Sequence, residues 1–457
     1  MAKFMGLDIG TTTISGLIYD LEDRKILHRI TADHAHGFLV SEQEWERLQD
    51  AEAIYGQTLS MVEELLSRES ETAGIGLTGQ MHGIVYMDIK GMAVSPLYTW
   101  QDGRGGQMIP GASRTYAERL SEQFGMNLSP GYGLATHAYN TDHGLVPAEA
   151  ASICSIADYI GARLTGKPVP VMDATQAAAI GGYRRELHDF DRSAIGKAGM
   201  DAALLPQVVP SGTLAGHSPQ GIPVYVSLGD NQASFLGSVP RPEGTLLMNV
   251  GTGSQLSAYV PEIAEVPKGM EARPYPGGGL LLVGAALSGG KSYAMLQSFF
   301  RDVIEGFTGQ TVLPKEIYAW MDQMLHSTPG CEESLRVLPF FNGTRANPEL
   351  RGSIEQISLG NFTPGALTHA FLSGMVEELY EFCLSLKAST SCTFTELAGS
   401  GNALRANPVL CAKAEEIFGM KMKLSASPEE AAVGAALCAA VGSGSIESFR
   451  HTGQFLI

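Results

Sequence analysis

Two stretches of the chain invite chemistry before any other. LDIGTTTISGLIY, beginning at Leu7, and MNVGTGSQLSAYV, beginning at Met248, align without gaps, so that Asp8 matches Asn249, Gly10 matches Gly251 and Thr11 matches Thr252. In each, an apolar strand breaks into glycines and hydroxyl residues and then returns as a second apolar strand. A tight turn of that composition presents consecutive backbone N–H groups and hydroxyls on one side, which makes an anion cradle of the nest type. Thr11 and Thr12 in the first turn, and Gly251, Thr252 and Gly253 in the second, are the candidate phosphate-holding residues. Asp8 ends the first strand, where it could hold the water shell of a Mg²⁺, an ion that keeps several waters and takes few carboxylates. The plainer alternative is an aspartate that caps its own turn.

A second acid stands out. PVYVSL (Pro223 to Leu228) reads as a buried strand that ends in Gly229-Asp230-Asn231-Gln232 and opens into a helix. Open α/β sheets place their chemistry at such strand ends. A carboxylate there could take the proton of an attacking hydroxyl, a role worth roughly 10²–10⁴ in rate, and Asp230 is also a second candidate for the metal. The alternative is an ordinary N-cap. LYTWQDGRGG offers Trp100, Asp102 and Arg104, an apolar plate beside hydrogen-bonding groups, which suits a polyol with a C–H face and many hydroxyls. Thr78, Gln80 and His82 in TGQMHG add polar contacts, each with a structural hydrogen bond as its plain alternative. GAALSGGKS, starting at Gly284, imitates a P-loop, but five residues instead of four separate Gly284 from Gly290. Gly289 and Gly290 could still let a helix N-terminus approach a phosphate.

The elements that must position these residues are those of an α/β protein: strand pairs, a helix, then a strand that returns. Ser41-Glu42-Gln43-Glu44 has the pattern of a capping box, with Trp45, Leu48, Leu59, Val62, Leu65 and Leu66 as the apolar face of the helix behind it. The last helix is expected to begin at Ser427-Pro428-Glu429-Glu430, with Ser427 as its cap. A chain of 457 residues is too long for one ordinary core. A single internal repeat just past the midpoint suggests two duplicated domains, 1–241 and 242–457, divided near Pro240-Arg241-Pro242. With 44% hydrophobic and 17% charged residues the chain has the composition of a water-soluble globular protein. A net charge of −17 disfavours nucleic acid and anionic membrane as partners, though not phosphate bound locally by backbone amides. Six scattered cysteines without a C-x-x-C pair fit a reducing cytoplasm. No signal peptide is expected, and no run is long enough for a membrane helix.

In order along the chain, DIGTT, TGQMHG, WQDGR, GDNQAS, NVGTGS, FFNGTRANPELRG, GSGNALRANP and EEAAVGAAL resemble the blocks of the FGGY carbohydrate kinases, relatives of hexokinase and actin. The resemblance spans essentially the whole chain. It implies two RNase H-like domains around a central cleft, with sugar mainly on the first and ATP-Mg²⁺ mainly on the second. It further implies Asp230 as the general base and Thr11 and Thr12 as the first phosphate loop, with Gly251, Thr252 and Gly253 as the second. Gly399, Gly401 and Asn402 match the loop that receives adenosine. Met81, His82, Trp100, Asp102, Arg104 and Asn231, with Gln80, become the sugar pocket. Within the family TWQDGRG, GYGLATHA, DATQAAAIGGY and SLGDNQASFLGSV are most similar to sedoheptulose-phosphorylating members. The Met81-His82 pair is shared with xylulose kinases, the competing substrate class, whereas GSGNALRANP departs from the GGGAKSP common among them. Glycerol kinases usually carry Arg-Glu at that pair, which disfavours glycerol. A catalytically silent, nucleotide-dependent sugar sensor is the alternative from another class, and a homodimer is compatible with all of these.

Overall fold

The computed structural model describes residues 2–34, 37–251, 253–327, 335–344, 347, 349–427 and 429–456. The chain forms two compact units, the first made of Met1–Pro240, Arg273–Gly279 and Glu429–Ile457, the second of Arg241–Ala272 and Leu280–Pro428. The main passage falls at 240–241, but 273–279 and 429–457 fold with the first unit, so one cut at 241 does not describe the chain.

In the first unit Lys3–Ile9 pairs antiparallel with Thr13–Asp20, which pairs antiparallel with Lys25–Asp33. On its other side Lys3–Ile9 runs parallel to Thr72–Gly79, which in turn runs parallel to Pro223–Tyr225 and Leu228–Gly229. Phe4, Met5, Leu7 and Ile9 are all fully buried, as expected of a central strand covered on both faces. Strand periodicity sends Leu77 to one face, against the helix Ile156–Thr165, and Gly76 to the other. That second face carries the helix Glu430–Gly442, whose alanines and glycines explain why the end of the chain folds with its beginning. A Cβ added at Gly6 would lie 1.9 Å from the Ala432 carbonyl oxygen, and one at Gly76 1.8 Å from that of Ala435. Only bare backbone lets the helix come this close.

Two local expectations fail for identifiable reasons. The helix expected after Ser41 begins at Ala51 instead, capped by Asp50, whose carboxylate accepts from the Glu52 and Ala53 amides. Ser41 bonds Gln43 and Glu46 within a turn, and Leu48–Gln49 is drawn into a short strand against Leu97–Tyr98. Tertiary pairing overrides the local cap pattern here. The final helix starts at Glu430 with Glu429 in the cap position, and Pro428 lies outside the described residues.

The second unit repeats the strand order. Leu280–Ala286, Ser254–Val260 and Thr245–Val250 form the antiparallel set, followed by Glu396–Ser400 and Met422–Leu424 in parallel. Asp8 stands opposite Thr78 on its parallel neighbour, and Asn249 opposite Ser400 on its own. The repeat therefore extends to register on the parallel side. The hairpins differ: Ile9 pairs Ile14, whereas Val250 pairs Ser254, so the second turn is one residue shorter and the gapless match ends there. Among the described residues Cys154, Cys383, Cys392, Cys411 and Cys438 are free thiols, and no helix is long and apolar enough to cross a membrane.

The glycine seats can be tested against one another. Gly76→Ala must push the helix Glu430–Gly442 off the sheet and should destabilise by roughly 3 kcal/mol or more, the upper end of overpacking. Gly56→Ala, in the helix Ala51–Arg68 where a Cβ meets nothing within 4 Å, should stabilise by about 0.4–1 kcal/mol. Urea midpoints that move in these opposite directions are the expected result.

Candidate functional site

The first Gly-Thr turn is braced from below. Gln80 is buried at 2% exposure, and its amide donates to Gln49 Oε1 at 3.0 Å while its Oε1 accepts from the Thr11 hydroxyl at 3.3 Å. Gln49 in turn donates to the Thr11 carbonyl at 2.8 Å. The Trp100 indole, 46% exposed, donates to Thr11 Oγ1 at 2.9 Å, and His34 Nε2 lies 2.7 Å from the Gly10 carbonyl. Gln80 and Trp100 therefore hold the turn through Thr11, and Thr12 beside it is exposed. Gln49 and His34 gave no sequence clue, because only the folded hairpin brings them under the turn.

Asp230 opens the helix Asp230–Ser238, with Gly229 as the cap residue. The strand end before it is clamped: the Leu228 carbonyl accepts from Thr78 Oγ1 and from the Gln176 amide, both at 2.9 Å, and the Gly229 amide donates to Thr175 Oγ1 at 2.9 Å. Met81 sits directly behind, its sulfur 2.8 Å from where a Gly229 Cβ would be. Asn231 follows Asp230 on the helix, and Gln232 donates to the Pro274 carbonyl at 3.2 Å. His82 takes a left-handed backbone conformation (φ 74°), places Nδ1 2.8 Å from the Ala179 carbonyl and packs its ring 4.4 Å from that of Tyr132. A non-glycine residue held there is strained, which is characteristic of ligand-holding turns.

Burial pushes the Asp230 carboxyl up to about 6, against the opposing pull of the Arg273 guanidinium and the Asn231 amide. Burial pushes Asp8 further, to about 7, with the charges of Asp230 and Glu429 adding to the effect. Asp8 Oδ1 is buried without a hydrogen-bond partner, an arrangement that costs free energy unless something else satisfies it. No three His, Cys, Asp or Glu side chains converge closely enough to ligate an ion directly among the described residues. An orphaned carboxylate oxygen without a direct ligand cage fits a Mg²⁺ held through its waters, with Asp8 as the anchor and Asp230 beside it.

Asp102 and Arg104 go elsewhere. They are 1% and 2% exposed, and Arg104 Nε donates to Asp102 at 2.7 Å, Nη1 to Asn140 at 2.9 Å and Nη2 to Glu46 at 2.9 Å. The guanidinium also lies 4.3 Å from the Tyr98 ring and 5.5 Å from that of Trp45. Asp102 additionally accepts the Arg47 and Arg104 amides. As arranged, the pair braces the loop that carries Trp100 and offers no surface to a sugar. Sequence reading placed it in the pocket because it follows Trp100 so closely.

The second unit carries a cavity of about 550 Å³. Gly251, Gly290 and Lys291 line it, together with Tyr293, Tyr318, Asp322, Asn402, Ala403, Ala406 and Asn407. The Gly290 amide donates to the Gly251 carbonyl at 3.2 Å, and a Cβ at Gly289 would strike Gly253 at 2.3 Å, so this helix start closes onto the turn. Gly401 (φ 93°) would place a Cβ 2.5 Å from the Val250 carbonyl oxygen, and Gly399 would place one 2.7 Å from Met422 Sδ. These two glycines permit close packing behind the cavity and do not line it. Thr252 lies outside the described residues. The stacked rings of Tyr293 and Tyr318, 5.9 Å apart, were not foreseen, since tyrosines on separate helices have no mutual spacing in sequence.

Comparison with known proteins agrees with this geometry. The pattern of the "FGGY family of carbohydrate kinases, N-terminal domain" matches residues 3–237. The sedoheptulokinase of Homo sapiens is 27% identical, with 95% of this chain and 96% of that protein covered. Among solved structures, xylulose kinase from Rhodospirillum rubrum matches with a TM-score of 0.84 at 21% identity over 99% of this chain and 92% of its own. Plasmodium falciparum glycerol kinase with ADP matches with a TM-score of 0.82 at 17% identity over 99% and 92%. Both structural likenesses establish the two-domain α/β fold. With the family pattern covering the unit that holds Asp8, Met81, His82 and Asp230, the chain belongs to the FGGY family of carbohydrate kinases and is an enzyme of that kind.

Proposed function

We propose that this kinase transfers the γ-phosphoryl group of ATP to a ketose, sedoheptulose, giving sedoheptulose 7-phosphate, with Asp230 as general base. The observation that carries the reading is Asp230 itself, a clamped, partly buried acid beside the Met81-His82 turn, in a chain similar from end to end to a sedoheptulokinase. Asp230 accepts the proton of the sugar hydroxyl as its oxygen attacks the γ-phosphorus, and ADP leaves from the opposite side. Thr12 and the first turn face the transferring phosphate, and the turn at Gly251 and Gly253 with Gly290 takes the preceding phosphates. The adenosine lies in the cavity lined by Tyr293, Tyr318, Asn402 and Asn407; use of an adenine nucleotide is in keeping with the P. falciparum glycerol kinase structure, which contains ADP. Bound Mg²⁺ would neutralise phosphate charge, with Asp8 Oδ1 holding its water shell. Trp100 supplies the apolar plate, and Met81, His82 and Asn231 the remaining sugar wall.

ADP release should be measured with Mg²⁺-ATP against sedoheptulose, D-xylulose, L-ribulose, D-ribulose, glycerol and no sugar. Preference for sedoheptulose is expected. Preference for xylulose would keep the kinase and replace the substrate, and ATP binding without any sugar-dependent turnover would make the chain a sensor. Asp230→Asn should lower kcat by about 10²–10⁴ while ATP affinity is retained. Because Asp230 must be ionised to accept a proton and its carboxyl stands at about 6, kcat/KM for sugar should level off above that pH and fall about tenfold per unit below it.

Asp8 gives a stability prediction of opposite sense. A carboxyl near 7 in the folded chain and 3.8 when free is penalised on ionisation, so stability is lost as pH rises through that interval and the loss is complete above 7. Without Mg²⁺ or nucleotide, Asp8→Asn should melt higher than the parent at about pH 8, the difference closing toward about pH 4. The same variant should lose kinase activity. A lower melting temperature at the alkaline end would overturn the assignment of Asp8 as an unsatisfied acid.

A further inference from the structure

The helix Gly289–Thr308 turns Leu296 and Phe300 inward, where the Phe300 and Trp320 rings meet edge-on at 5.1 Å. Its outward face is not the polar one that a solvated helix presents. Met295, Phe299, Val303 and Phe307 recur every four residues and are 42, 54, 54 and 91% exposed. Each four-residue step advances about 40° around the helix, so these side chains form one ridge about 18 Å long. Phe299 rests beside Phe300, the two ring centroids 5.7 Å apart. Charged neighbours are engaged beside the ridge: Glu305 accepts the Val312 amide at 2.8 Å, and Arg301 donates to Asp302 at 3.1 Å. Gly306 falls on the same face by helical periodicity, between Met295 and Phe299 in angle. Glycine is unfavourable inside a helix, yet a Cβ there would meet nothing within 4 Å, so no contact with the described residues calls for it. A missing side chain is useful where another surface must come close.

Apolar side chains scattered singly are ordinary on a protein surface, whereas a contiguous set marks an interaction surface. Taking about 200 Å² for a fully exposed phenylalanine, the four side chains offer roughly 450 Å². Two such faces, with the flanking Ser298, Asp302 and Gly306 included, would hide about 1,000 Å² in total, the lower bound for a specific interface. The order of the ridge suits a second copy of itself. Around a two-fold axis through its midpoint, reversal sets Phe299 over Val303 of the second copy and Met295 over Phe307. Each ring then meets an aliphatic side chain, and a thioether is a favourable neighbour for an aromatic edge. Parallel pairing in register would set ring on ring and methionine on methionine instead. The net charge of −17 disfavours an anionic membrane as the occupant.

We propose that this ridge joins two copies of the chain, which pair as a weak two-fold dimer through antiparallel Gly289–Thr308 helices. Both copies are strongly acidic, so screening by salt strengthens the association, the reverse of an electrostatic contact.

Sedimentation velocity of the full chain from about 1 to 200 µM tests it, since a contact of this size should show a Kd in the micromolar range. The parent should dimerise, and more tightly in 0.5 M than in about 0.05 M salt. Phe299→Glu and Val303→Lys should each raise the Kd at least about tenfold by placing a charge in the contact. Leu359→Glu, at a fully exposed leucine of the same unit but outside this helix, should change nothing. An equimolar mixture of Phe299→Glu with Val303→Lys should recover dimers that neither variant forms alone, because only the antiparallel register opposes the two introduced charges. Matching melting temperatures guard against misfolding. A parent that stays monomeric throughout overturns the proposal, and so does a dimer that neither substitution weakens. A mixture no better than its components overturns the antiparallel pairing. A monomer that sediments with phosphatidylcholine vesicles, and loses this with Phe299→Glu, would assign the ridge to a lipid surface instead.

Discussion

Backbone lying on backbone sets the geometry of the first unit. The helix Glu430–Gly442 presses its carbonyls onto Gly6 and Gly76 of two neighbouring strands at distances where no side chain fits. It also crosses the helix Asp230–Ser238 through Gly434, where a Cβ would lie 1.9 Å from the Ala233 carbonyl oxygen, and Gly237, where one would lie 2.0 Å from that of Glu430. Contacts of this kind leave no side-chain slack to absorb a shift, because protein interiors are close-packed and respond to changes of a single methyl group. The consequence reaches the chemistry directly. Asp8 ends one of the seated strands, Asp230 begins the crossed helix, and Glu429 stands at the start of the crossing helix. One packing decision therefore places three acids within electrostatic reach of each other.

Such convergence is unfavourable on its own, and the way the molecule treats its acids separates structure from function. Asp102 is as buried as an acid can be, yet it is matched by Arg104 and by backbone amides, which makes it a brace. Asp158 is likewise buried and accepts from Ser155 and Ser227 at 2.7 and 2.6 Å. Burial raises Asp158 as it raises Asp8 and Asp230, so the distinction lies in partners: Asp8 has an oxygen without one. The unsatisfied oxygen of Asp8 and the strained backbone at His82 are both costs to stability, of the kind expected where a ligand is held.

The sequence shows most where a single element carries the whole message. The hairpin at Asp8 and the strand ending at Asp230 are legible because alternation, glycine and a terminal acid lie within a dozen residues. The cap at Ser41 misleads because Leu48–Gln49 gains more from pairing with Leu97–Tyr98 than from extending the helix. Trp100 and Arg104 look equivalent in a list of residues, but one projects beside the turn and the other is engulfed by Tyr98, Trp45 and Asn140. Arg273, Glu429 and Gln49 escape notice because their relation to the site is created by topology alone, through a returning segment, a final helix and a short strand pair.

The two Gly-Thr hairpins show how one scaffold is adapted to two tasks. Asp8 and Asn249 occupy the same place, each opposite a hydroxyl residue on the parallel strand. Asn249 is neutral and donates to Ser400 at 2.7 Å, so its position is closed by the protein itself. Asp8 is ionisable and has an oxygen that no protein donor meets. The turn beyond Asn249 is a residue shorter and is sealed by the Gly289-Gly290 helix start, which supplies amide donors where the first turn relies on hydroxyls. A phosphate already bonded to a leaving nucleoside needs steady donors and no nearby negative charge. A phosphoryl group in flight needs a metal, and hence an acid to anchor that metal's waters. Under the proposed assignment of the two turns, the asymmetry between aspartate and asparagine at one repeated position follows from that difference in what each would hold.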